Sequence, residues 1–107
     1  IGAKKSMEML LTGQPISAYD AAEVGLINRV VSPGDLDQSV MEFAKQICDA
    51  SSYTVTLGKQ AFYKQLELGI SDAYDMAEET MVRNLQNQDA KEGISAFLEK
   101  RSPKWSN

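Results

Sequence analysis

At 107 residues the chain has one domain's length and can bury only a modest core, and its 43% hydrophobic content excludes general disorder. A net charge of −4 argues against nucleic acid as a partner, and the absence of histidine removes Ser–His, Cys–His and His–metal chemistry from within the chain. A single cysteine, Cys48, excludes an internal disulfide and a cysteine metal cluster, and no apolar run approaches the roughly twenty residues that span a bilayer.

The chain opens in mid-element at Ile1-Gly2, as expected of a piece of a longer protein. Ala3 to Thr12 then reads as an amphipathic helix with Ala3, Met7, Leu10 and Leu11 on one side, and Gly13 suits the left-handed residue that ends it. Ser17 is an N-cap with Asp20 at the third helical position, and the short helix it opens ends at Gly25. Leu26 to Val31 is rich in β-branched residues and is the only strand candidate; the alternative is a stretch that runs extended over the helices. Ser32-Pro33 starts a helix over about 33 to 49, with Leu36, Val40, Phe43, Ala44 and Ile47 on one stripe. Cys48 falls beside that stripe, which predicts a buried, inert thiol.

Ser51-Ser52 breaks this helix, and Val55, Phe62 and Leu66 define the next, roughly 53–68, with Gly69 at its end. Ser71 or Asp72 opens a helix in which Ala73, Ala77, Met81 and Leu85 share a face. In the last segment Asp89 can cap a helix and Glu92 close a capping box; Ala90, Ile94, Phe97 and Leu98 form its apolar stripe, and Pro103 stops it. The fold expected is mainly α, with five or six helices and at most one short strand. The methionines and phenylalanines fit the stripes and are core by default.

Chemistry is sparse. Glu78 and Glu79 are neighbours on a helix and point about 100° apart, so they do not converge on a substrate. Asp20 with Glu23, and Glu67 with Asp72, have no apolar pocket or opposed base in view and read as solvated surface. No catalytic residue and no metal ligand is assigned. The basic end is more open: Lys91, Lys100, Arg101 and Lys104 outnumber Glu92 and Glu99 there. It either complements the helix dipole in solvent or faces a phosphorylated ligand.

The order Asp89-x-x-Glu92-Gly93-x-x-Ala96-Phe97-x-x-Lys100-Arg101-x-Pro103 resembles the C-terminal signature of the enoyl-CoA hydratase/isomerase (crotonase) family. The string from Leu10-Leu11-Thr12-Gly13 through Pro15-Ile16-Ser17-Ala18 to Gly25-Leu26-Ile27 and Val30-Val31 resembles the segment after that family's catalytic core. Residues 57–66 and the ending Lys100 to Ser106 look like one subgroup within it. The resemblance covers nearly the whole chain but only about the last two-fifths of a typical member. It implies that residues 1–107 are the C-terminal helical, oligomerisation domain of a crotonase-like protein whose catalytic core lies upstream. The oxyanion-hole amides and the glutamates of the family belong to that core, so the chain alone is expected to be inactive. The partners implied are an acyl-CoA thioester, as substrate rather than cofactor, and sister subunits in a trimer or hexamer. Lys100 is then placed near the CoA moiety, with Arg101 and Lys104 in support. Met81 and Leu85 occupy positions where relatives often carry Phe or Tyr closing the acyl pocket, often of a neighbouring subunit; they can supply an apolar wall but no tyrosine-like polar contact, and packing in the core is the reading preferred for both. The location implied is mitochondrial or cytoplasmic. The competing reading is a non-catalytic helical assembly module derived from the same family.

Overall fold

The computed structural model describes residues 1–106. Among them are six α-helices and no strand: α1 (Ala3–Thr12), α2 (Ala18–Glu23), α3 (Leu36–Cys48), α4 (Ser52–Gln65), α5 (Ile70–Gln86) and α6 (Gln88–Glu99), with a 3-10 turn at Pro33–Asp35 before α3. Two compact units divide within α3, residues 1–41 and 42–107.

In the first unit the turn chemistry matches the sequence. Gly13 ends α1 at φ 61°, its N–H donating to the Met9 carbonyl. Ser17 caps α2: its Oγ accepts from the Asp20 N–H at 3.0 Å and donates to Asp20 Oδ2 at 2.7 Å. At the other end the Leu26 N–H reaches the Ala21 carbonyl and the Gly25 N–H the Ala22 carbonyl, with Gly25 at φ 75°. This is a Schellman closure, which requires a left-handed residue between helix and exit. Leu26 to Asn28 follow as bends and Arg29 to Val31 as irregular chain, without ladder pairing. A strand forms only against a partner, and among the described residues there is none. The strand reading of this stretch therefore fails among the described residues.

In the second unit α4, α5 and α6 pack against one another. Several boundaries differ from expectation for local reasons. α4 ends at Gln65, three residues early, in turns whose N–H groups at Glu67 and Leu68 bond to Lys64 and Gln65. Gly69 does not end α4; it is the extended residue before α5, which starts at Ile70. Asp89 is not the cap of α6. Asn87 is, its side-chain oxygen accepting from the Asp89 N–H at 2.9 Å, and Asp89 sits inside the first turn.

The apolar stripes are present but mostly exposed. Among the described residues Ala21, Ser51, Asp89 and Ala96 are buried, and Met7, Leu10, Val40, Phe62, Met81 and Phe97 all face solvent. Periodicity reports which face is apolar, not whether anything covers it. For the same reason Cys48, expected inside, is exposed: α3 has no buried residue. No helix is long and apolar enough to cross a membrane, and no group of metal-ligating side chains occurs among the described residues.

Candidate functional site

The site is built on α6 and the seven residues after it, Lys100 to Ser106. Asp89, 2% exposed, accepts three hydrogen bonds: from Ser51 Oγ at 2.6 Å, Ser106 Oγ at 2.6 Å and the Ser106 N–H at 2.9 Å. These donors, the Ser106 hydroxyl first, hold its carboxyl below the usual range, outweighing the burial that opposes ionisation. Ser51 is 4% exposed and serves two elements, since its Oγ also accepts from the Thr54 N–H and caps α4.

One turn along α6, Glu92 takes the Arg101 guanidinium in two bonds, Nη1–Oε1 at 2.5 Å and Nη2–Oε2 at 3.0 Å, and accepts the Lys104 N–H at 2.7 Å. Hydrogen bonds from Arg101 and then Lys104 hold its carboxyl down at about 2. Arg101 also donates Nε to Glu99 at 2.7 Å, and its own pKa is raised further by the two carboxylates. The strap closes at Trp105, whose Nε1 donates to the Asp49 carbonyl at 2.8 Å. Its ring lies on Gly93, where a Cβ would stand 3.3 Å from the ring edge. A side chain at this mid-helix position would press on the indole, and glycine lets the ring come close.

Between α6 and the strap stands Lys100, at φ 54° and ψ 41°. The Arg101 N–H donates to the Ala96 carbonyl and the Lys100 N–H to that of Phe97. This is the same closure that ends α2, with lysine where α2 has Gly25. The Lys100 side chain is exposed and forms no ion pair among the described residues. Arg101, the other cation expected at a ligand, is instead engaged by Glu92 and Glu99.

Met81 and Leu85 lie one turn apart on α5, 58% and 50% exposed. Met81 lines a groove of about 270 Å³ between α4 and α5, with Leu57, Ala61, Phe62 and Met76. Leu85 lines a second, of about 450 Å³, with Ile94, Phe97, Leu98 and Trp105. Thr54 and Asn84 border both, joined by a 3.1 Å hydrogen bond between their side chains. Lys100 lines neither groove. The structure therefore groups Leu85 with the α6 stripe, places Met81 next door, and sets Lys100 apart at the helix exit. Asp89, Gly93 and Trp105, which organise the site, were missed as such; a glycine inside a helical stripe was the available signal for a close approach.

Acid should open this strap. Glu92 is depressed from 4.5 to about 2, so its contribution is full above pH 4.5 and is lost as pH falls toward 2. Asp89 acts with the same sign, and Arg101 stays charged throughout. The single tryptophan, Trp105, reports the change. Its emission should shift to the red between pH 4.5 and 2, and a flat titration would contradict the geometry.

A helical chain with this clasped C-terminal signature defines a class. The profile of the enoyl-CoA hydratase/isomerase family matches residues 1–107, and the chain belongs to that family. It is 48% identical over 104 residues to mouse "enoyl-CoA hydratase domain-containing protein 3, mitochondrial", covering 97% of this chain and 35% of the mouse protein. The human protein of that name is 45% identical, with 97% and 34% covered. Among solved structures, an enoyl-CoA hydratase from Mycobacterium smegmatis superimposes with a TM-score of 0.94 at 44% identity, over 100% of this chain and 42% of that one. Human enoyl-CoA hydratase domain-containing protein 3 gives 0.91 at 44% identity, over 98% and 42%. The subgroup suggested by residues 57–66 and the Lys100–Ser106 ending is this one. The chain spans about a third of the length of these curated relatives.

Proposed function

We propose that this chain is the C-terminal helical part of an acyl-CoA-binding enoyl-CoA hydratase/isomerase-like protein of acyl-CoA metabolism, located in the mitochondrion, with its catalytic core upstream. Lys100 supplies a cation to the CoA moiety. Met81 and Leu85 form apolar wall for the acyl part, and Arg101 assists from beside Lys100. The observation that carries this reading is lysine in a left-handed helix exit. A non-glycine residue there costs about 1–2 kcal/mol, and such strain is kept where it serves a function. A compact ammonium on a flexible stem suits a phosphate or an amide carbonyl.

The test separates stability from binding. In the protein carrying this chain, Lys100→Gly should relieve the left-handed backbone and stabilise by about 0.5–1 kcal/mol. It should also weaken affinity for a saturated acyl-CoA by about three- to tenfold. Calorimetry showing unchanged affinity would refute the role of Lys100.

The same reading includes subunit association, supported by the exposed apolar faces of α1, α3 and α6. The 107-residue chain should self-associate or bind a hydrophobic dye at tens of micromolar. A monodisperse, dye-silent monomer by light scattering would count against it.

A further inference from the structure

We propose that Glu92 is a positioning residue for Lys100: by holding the strap 101–106 through Arg101 and the Lys104 N–H, it fixes the left-handed turn from which the Lys100 ammonium projects. The inference rests on the acyl-CoA reading of Lys100 and goes beyond it, because Glu92 needs no contact with the ligand.

The geometry divides cleanly between fixed backbone and free side chain. Every residue from 99 to 102 except Lys100 has its side chain or carbonyl tied to Arg101 or belongs to it: Glu99 through Nε at 2.7 Å, and the Ser102 carbonyl through Nη1 at 3.3 Å. Glu92 gathers these by gripping the guanidinium with both oxygens and by taking the Lys104 N–H as well. Further out, Trp105 is pinned to the Asp49 carbonyl and Ser106 to Asp89. Lys100 thus sits between a helix and a strap anchored at three points, with its ammonium in no ion pair among the described residues. Without the anchors a lysine at φ 54° would relax toward the ordinary right-handed region, re-aiming its side chain. A bidentate carboxylate–guanidinium pair is suited to this because it fixes direction as well as distance.

The experiment uses the protein carrying this chain, with coenzyme A as probe, comparing wild type, Glu92→Gln, Lys100→Ala, the double variant and Trp105→Phe. Circular dichroism checks that helicity is kept, and trypsin cleavage after Lys100 and Arg101 reads strap opening independently of any ligand. Lys100→Ala should weaken coenzyme A binding about three- to tenfold. Glu92→Gln should weaken it about two- to threefold, accelerate cleavage at 100 and 101, and have no further effect once Lys100 is alanine. Trp105→Phe keeps the ring but loses the bond to Asp49, so it should act in the same direction if Glu92→Gln does not fold. A silent Lys100→Ala would refute the acyl-CoA reading. A full Lys100→Ala effect with Glu92→Gln silent, or with the two effects additive, would overturn the positioning role alone.

Discussion

Replacing Ser51 with alanine is expected to destabilise the chain by about 3 kcal/mol. Ser51 both caps a helix and hydrogen-bonds a buried carboxylate, and it is itself buried. Loss of the cap leaves the Thr54 N–H without its acceptor, at about 1 kcal/mol. Loss of the hydroxyl removes a donor from ionised Asp89, and hydrogen bonds to charged groups contribute about 1.5–3 kcal/mol. The effects add because they reach different partners. Thermal or urea unfolding should show the loss in Ser51→Ala and its near absence in Ser51→Thr, which retains the hydroxyl. A shift below about 1 kcal/mol in the alanine variant would mean that the Ser51–Asp89 contact does not join α4 to α6 as described.

The 107-residue chain by itself should not turn over crotonyl-CoA measurably. The proposed function places both parts upstream; general acid–base groups contribute about 10²–10⁴ in rate and an oxyanion donor about 10²–10³, so on that reading the chain falls at least about four orders of magnitude short of a complete enzyme. Asp89 and Glu92 are both pushed down, Glu92 to about 2, by donors that already occupy their carboxylate oxygens. A base useful near neutral pH needs the opposite displacement. Turnover by the purified chain in a spectrophotometric assay, above a heat-denatured control, would overturn this and direct attention to carboxylates read as surface.

Local chemistry was the legible part of the sequence. Gly13, Gly25 and the Ser17 cap fall where turn and capping rules put them, because each depends on a few neighbouring residues. Helix number and type were legible from periodicity for the same reason. Asp89 shows where local reading stops: three residues before Glu92 and ahead of an apolar stripe, it satisfies the pattern of a capping box. Asn87 takes the cap instead because Asp89 and Glu92 are engaged from the strap, 17 and 9 residues downstream. No window of one helix contains that information. Arg101 and Lys100 make the same point together. Adjacent cations look alike in sequence, yet one is held by two carboxylates and the other projects from a left-handed turn. The burial of Cys48 and of the phenylalanines could not be read at all, since periodicity marks an apolar face without specifying what lies over it.

The most direct test of the central claim is a crystal structure of the protein carrying this chain with a saturated acyl-CoA bound. The account predicts Lys100 Nζ within hydrogen-bonding distance of a CoA phosphate or pantetheine carbonyl, on a backbone still left-handed at residue 100, with Arg101 still gripped by Glu92. An acyl-CoA bound elsewhere, with the Lys100 ammonium left in solvent, would contradict it.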